Sequence, residues 1–206
     1  MMTRSRYALW AVLAVLLGVA FWCDNVVLAV VKPFHDSPGA EMIRQTVRWL
    51  GTGYVQVPVV LIMILAGLLW SRRAKQAGAL ALLAFVVSGL AANVLKVIVR
   101  RPRPWTTDAV PANWYGYLHN GAFHSFPSAE TATTFAVVLT IGDWFPALRA
   151  PLVVVAVVVG LARVLVGSHH PSDVVAGAML GIAVSQAIAS MAHQRETRTG
   201  SGDRAR

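Results

Sequence analysis

Runs of about 20 apolar residues constrain this chain more than any other feature, because a helix of that length crosses the hydrocarbon core of a bilayer. Six segments meet or approach the requirement: 7–31, 54–70, 77–99, 129–141, 147–166 and 172–191. The fourth is short, but 125–144 supplies the length if both ends are interfacial. Of 206 residues, 56% are hydrophobic and 13% charged, against about 25% charged in soluble domains. Most helices must therefore face lipid rather than water. The expected fold is all-α, a polytopic membrane protein of six transmembrane helices in one domain over 1–194, with 195–206 as a flexible cytoplasmic tail. The first apolar run begins like a signal peptide. It is too long for one, and no small-x-small site precedes the charged break at Asp24, so it is read as a retained helix.

A formal charge of +9 raises the question of nucleic acid. The basic residues exclude that reading, since they lie at the ends of apolar segments and in two short blocks rather than along a polar surface. They orient the helices instead. Arg4, Arg6, Arg72, Arg73, Lys75, Arg149, Arg195, Arg198, Arg204 and Arg206 all fall on one side of six crossings, which puts both termini in the cytoplasm. The opposite side is also basic, so something there needs cations. Segment 40–50 is amphipathic at helical spacing, with Arg44 and Arg48 on its polar face; it reads as a headgroup contact or as a surface helix capping the bundle. The single cysteine, Cys23, excludes an intramolecular disulfide and a cysteine-based metal site.

Three clusters lie at the outer ends of the third to sixth segments. In the first, Lys96 stands inside an apolar helix, where a charge is expensive and usually functional. Arg100 and Arg103 follow at spacings that share its face if the helix continues that far, while Pro102 and Pro104 end the helix. Converging cations suit an oxyanion, and the planar fork of arginine can hold two oxygens at once. The alternative is an anchor for anionic headgroups. In the second cluster, Ser128 precedes a helical pattern with Thr131 three residues on, the spacing of an N-cap. Free N–H groups at that helix start favour an anion. Glu130 in the first turn is either a dipole partner or a proton-handling group. In the third, Arg163 ends an apolar helix, and His169 and Asp173 share a face if the last helix begins near His169. An aspartate on one ring nitrogen makes the other a nucleophile or base.

Taken together, the clusters describe phosphoryl transfer. A neutral imidazole is not repelled by a phosphate dianion and can take the phosphoryl group. Lys96, Arg103 and Arg163 would neutralise charge in the transition state. No metal or other cofactor is required, since arginines supply the charge and would compete with zinc or magnesium for the acids.

These clusters resemble the signature of the type 2 phosphatidic acid phosphatase (PAP2) superfamily. Lys96, Arg103 and Pro104 fit its first motif. Pro127 and Ser128 fit the second, where Ala129 replaces a glycine and Glu130 a histidine. Arg163, His169 and Asp173 fit the third, where Ala162 replaces a serine. The signature region spans 96–173, and the six-helix layout extends the likeness over most of the chain.

The resemblance implies a PAP2-like helical bundle with its site at the periplasmic or outer face of a bacterial inner membrane. It implies His169 as nucleophile, Asp173 as its partner, and phosphate contacts from Lys96, Arg103, Ser128 and Arg163. Family substrates are membrane lipid phosphates: phosphatidic acid, phosphatidylglycerol phosphate, undecaprenyl diphosphate and lipid A phosphates. Soluble vanadium haloperoxidases share the site, and the membrane helices here argue against that branch. Glu130 stands where the family has its general acid, and three roles are open: direct acid/base, a structural role beside a loop histidine (His124 or His119) as the acid, or a structural role alone. A good leaving group would need less protonation. Lipid-to-lipid phosphotransfer and non-catalytic lipid-phosphate binding or transport are the competing functions. The loop 105–126 is rich in Trp and Tyr, as in an interfacial belt or a rim admitting a lipid chain sideways. No sequence feature fixes the oligomeric state.

Overall fold

The structure, a computed structural model, describes residues 4–35, 37–39, 41, 42, 46 and 53–202. Most of the amphipathic segment 40–50 lies outside them. The elements are α1 (Arg4–His35), α2 (Gly53–Leu69), α3 (Arg72–Val99), the short α4 (Trp114–His119), a 3-10 turn (Gly121–Phe123), α5 (Ala129–Trp144), α6 (Pro146–Leu165) and α7 (Pro171–Gly202). Among the described residues the regular structure is helical throughout.

The bundle is apolar on its outside. Val15, Trp22 and Val30 of α1, Leu90 and Ile98 of α3, and Val154 and Leu161 of α6 are all exposed. Faces of this kind cover themselves with lipid. Among the described residues four helices are long and apolar enough to cross a bilayer: Arg6–His35, Arg72–Val99, Pro146–Leu165 and Pro171–Ala192. The expected second span, Tyr54–Leu69, is apolar but shorter, and α5 has 16 residues. This is a multi-pass membrane protein.

The central element is α5, which packs against α3, α6 and α7. Its buried positions include Thr131, Thr133, Thr134 and Thr140 beside Ala132, Ala136, Val137 and Ile141. Small residues let its neighbours approach. Ala77, Ala81, Ala84 and Ala92 of α3 are fully buried. On α7, a Cβ added at Gly177 would lie 2.5 Å from the Ser128 carbonyl oxygen, and one at Gly181 2.4 Å from that of Ala132. The two backbones are therefore in direct contact, and this fixes the start of α5 against the start of α7.

The structure fixes three helix ends. Helix α3 stops at Val99 rather than continuing to Arg103, and Arg100 closes it in the left-handed region (φ 52°, ψ 38°), with its N–H on the Lys96 carbonyl. Pro102 accounts for the stop, because a residue before proline avoids the helical region. Helix α7 begins at Pro171, two residues beyond His169, and at the other end it continues to Gly202. Once a helix exists, each further residue adds a hydrogen bond without a new nucleation cost.

Candidate active site

The site forms where the C-terminal ends of α3 and α6 meet the N-terminal ends of α5 and α7. Lys96, in the last turn of α3 and 7% exposed, donates from Nζ to the His124 carbonyl oxygen at 2.9 Å. That bond joins α3 to the segment leading into α5 and leaves the ammonium with further N–H groups. Arg103 holds two loops together: Nε donates to the Gly121 carbonyl at 3.0 Å and Nη1 to the Ser168 carbonyl at 2.9 Å. It thus lies beside the residue preceding His169. Ser128 caps α5, its hydroxyl oxygen accepting from the Thr131 N–H at 3.4 Å and from Thr131 Oγ1 at 2.9 Å. The Ser128 N–H donates to the Asp173 carbonyl at 2.9 Å, which ties α5 to α7. Ser128 is fully buried, so its hydroxyl supports the helix start from below.

Glu130 and Arg163 form an ion pair, Oε2 to Nη1 at 2.5 Å, with the Arg163 side chain 5% exposed and that of Glu130 30%. The Arg163 carbonyl in turn accepts the N–H groups of Ser168 and His169 at 3.0 and 3.2 Å. The turn carrying the histidine is thereby folded back on α6.

His169 is 3% exposed. Its Nδ1 lies 3.6 Å from Asp173 Oδ2 and makes no hydrogen bond; the approach is a close electrostatic contact. Such bonds are often long in unliganded sites. His169 is pushed down to about 4, first by burial and also by the Lys96 and Arg103 charges, while Asp173 acts in the opposite sense. It is neutral at pH 7.

Asp173 is fully buried and has more partners than the sequence suggested. Oδ2 accepts from Ser125 Oγ at 2.5 Å, from the His170 N–H at 2.8 Å and from His170 Nδ1 at 3.1 Å. The backbone bond from His170 is that of a first-turn acid capping its own helix. Oδ1 accepts from Arg101 Nη1 at 2.6 Å. Ser125, Arg101 and His170 are contacts that the spacing argument missed.

The remaining candidates lie elsewhere. Arg100 does not share a face with Lys96 and Arg103; its guanidinium stacks 3.6 Å from the Trp114 ring centroid and 5.1 Å from that of Tyr117. His124 donates from Nε2 to the Tyr117 carbonyl at 2.8 Å, and His119 from Nδ1 to the Tyr115 carbonyl at 2.9 Å. Both ring bonds stay within the 114–124 segment. Among the described residues no three His, Cys, Asp or Glu side chains converge as metal ligands.

A profile of the PAP2 superfamily matches residues 77–197. The chain belongs to the PAP2 superfamily. It is 32% identical over 176 residues to the decaprenylphosphoryl-5-phosphoribose phosphatase of Mycobacterium tuberculosis, covering 83% of this chain and 91% of that one. It is 37% identical over 105 residues to the lipid A 1-phosphatase of Rhizobium johnstonii, covering 50% of this chain and 43% of the relative. The match thus spans less than half the length of that enzyme. The PAP2-type phosphatidylglycerolphosphate phosphatase of Bacillus subtilis has the same fold, with a TM-score of 0.67, 24% identity, and 91% and 96% of the two chains covered. LpxE of Aquifex aeolicus superposes with a TM-score of 0.59 at 22% identity, over 79% of this chain and 94% of its own. The PAP2 profile contains all three clusters, from Lys96 to Asp173.

Proposed function

We propose that this PAP2 protein is a lipid phosphatase that removes phosphate from a membrane lipid through a phosphohistidine on His169. One observation carries the reading: a buried, neutral His169 lies 3.6 Å from Asp173, with Lys96 and Arg103 close enough to depress its protonation.

In the first step the His169 Nε2 lone pair attacks phosphorus and the P–O bond to the lipid breaks. Lys96, Arg103 and Arg163 hold the nonbridging oxygens, where fixed cations are most effective. Asp173 stabilises the imidazole as it becomes positive, and its Oδ2 takes the Nδ1 proton in a hydrogen bond. In the second step water attacks the phosphohistidine, the P–N bond breaks, and inorganic phosphate leaves neutral His169 behind. Glu130, an ionised partner of Arg163, is suited to accept the proton of that water. The leaving lipid oxygen takes its proton from solvent at the open side of the site, which favours leaving groups of low basicity. Ser128 acts beneath the site as the cap of α5.

The preferred substrates come from the named relatives: decaprenylphosphoryl-5-phosphoribose first, for the longer match, then lipid A 1-phosphate. The topology that accompanies this reading has six crossings, with α2 and α5 as the short ones. Both termini are cytoplasmic, and the site faces the periplasm or exterior of a bacterial inner membrane. The cationic loop ends Arg72, Arg73, Lys75 and Arg149 support that orientation.

The test is phosphate release by the purified protein from these two lipids, phosphatidic acid, phosphatidylglycerol phosphate and undecaprenyl diphosphate, with His169→Ala alongside. Turnover of at least one lipid, lost by about 10⁴-fold or more in the variant, is expected. Release that persists in His169→Ala would overturn the histidine mechanism. Phosphate appearing only on an added second lipid would make the protein a phosphotransferase.

A further inference from the structure

Asp24 is an acid within the apolar helix α1, on the buried face it shares with Ala20 and Leu28. It is 4% exposed, and a charged group inside an apolar helix is expensive and usually functional. Its partners belong to the segments that build the site. Asp24 Oδ2 accepts from Arg101 Nη2 at 2.6 Å and from Ser172 Oγ at 2.6 Å, and Oδ1 accepts from the Ser172 N–H at 2.9 Å. The Arg101 fork also reaches Ser172 Oγ and Asp173 Oδ1, each at 2.6 Å. On its other side the guanidinium lies 5.2 Å from the Phe21 ring centroid. One arginine therefore bridges two buried carboxylates, one from α1 and one next to His169.

The two oxygens of Asp173 are divided between these tasks. Arg101 takes Oδ1, while Oδ2 faces Ser125, His170 and, at 3.6 Å, His169. We propose that Arg101 and Asp24 are a positioning pair for the reaction. Arg101 holds Asp173 so that Oδ2 stays directed at His169, and Asp24 balances the arginine charge so that Asp173 still stabilises His169 when it becomes positive. The proposal rests on His169 as nucleophile, and it explains why α1 carries a buried acid.

The pair predicts effects of opposite sign. Asp173, Lys96 and Arg103 act on His169 directly; His170 and the Arg163–Glu130 pair are its other charged or titratable neighbours, and no variant below alters any of these. Removing the Arg101 charge leaves Asp173 less offset, so His169 binds a proton more tightly. Removing the Asp24 charge leaves Arg101 less balanced, so His169 binds a proton more weakly. Loss of position alone would weaken proton binding by His169 in both variants, so opposite signs report the charge effect, and the kcat of Arg101→Gln reports the positioning.

The experiment is a titration of carbon-13-labelled histidine in the full chain in lipid nanodiscs, with the His169 signal identified by its loss in His169→Gln. Arg101→Gln should bind the proton about tenfold more tightly, which is about one pH unit. Asp24→Asn should shift the midpoint the other way, the double variant should return near the native midpoint, and Arg101→Lys, which keeps the charge, should stay near it. With a turned-over lipid, Arg101→Gln should lower kcat by about tenfold at little change in KM, and Arg101→Lys should recover part of it. An unchanged His169 midpoint in Arg101→Gln, or shifts of the same sign in Arg101→Gln and Asp24→Asn, would overturn the proposal. The titration reads out without turnover, so its failure is distinguishable from a failure of the histidine mechanism, which is read from activity in His169→Ala. Asp24→Asn and Arg101→Lys conserve shape or charge and serve if Arg101→Gln does not fold.

Discussion

Glu130, paired with Arg163 at 2.5 Å, is proposed as a base rather than an acid. A base is then needed most when water attacks the phosphohistidine. Glu130→Gln should slow that second step by about 10²–10⁴-fold and let the phosphoenzyme accumulate, which acid-labile radiolabel on the protein would measure. If Glu130 were instead the acid of the first step, the variant would form no phosphoenzyme. The seven residues Lys96, Arg103, Ser128, Glu130, Arg163, His169 and Asp173 were legible as a group because they lie at helix ends or in the segments beside them, at the spacing of the motifs. Asp24 and Arg101 were not. Their meeting depends on how α1 docks on α7, 148 positions apart at Asp24 and Ser172, which no local pattern encodes. The one visible sign was an acid inside an apolar run.

Helices were the most readable elements, since hydropathy marks where a chain must satisfy its backbone within lipid. Their ends were less so. The last turn of α3 and the first of α7 are set by Pro102 and Pro171 together with neighbouring side-chain caps, and a shift of two residues decides which histidine meets Asp173. It is His170, not His169, that donates to Asp173 in this state. The α5–α7 contact gives a direct test of packing. Alanine normally stabilises a helix over glycine by about 0.8–1.0 kcal/mol. At Gly181 the added Cβ would lie 2.4 Å from the Ala132 carbonyl oxygen, so the clash wins. Gly181→Ala should lose about 1–3 kcal/mol, read as a lower thermal midpoint in detergent, and Gly181→Leu should lose more.

At the scale of the whole molecule, one end of the bundle carries His35, Trp105 and His169, and the other Arg6, Arg73, Asp143 and Arg149. A cavity between α1, α5, α6 and α7 is lined in part by Arg6, Asp143 and Arg149 at that second end, and Arg73 donates to the Trp144 carbonyl there. Both ends are basic, so charge alone orients the chain weakly. With Cys23 replaced by serine, Arg72→Cys should react with an impermeant thiol reagent only from the cytoplasmic side, and Trp114→Cys only from the outside. The reverse pattern would turn the topology over.

The short central helix also bears on how the bundle is held together. Threonine-rich and 16 residues long, α5 offers the lipid little reason to accept it alone, and no candidate crossing was found there by length and hydropathy. It is followed within two residues by α6, which is long and apolar. Helix α5 owes its place to packing against α3, α6 and α7 more than to lipid. A helix free of the demand to dissolve in lipid is free to carry Glu130 and its hydroxyls into the membrane. The packing of the bundle and the chemistry of the site thus draw on the same shielded element.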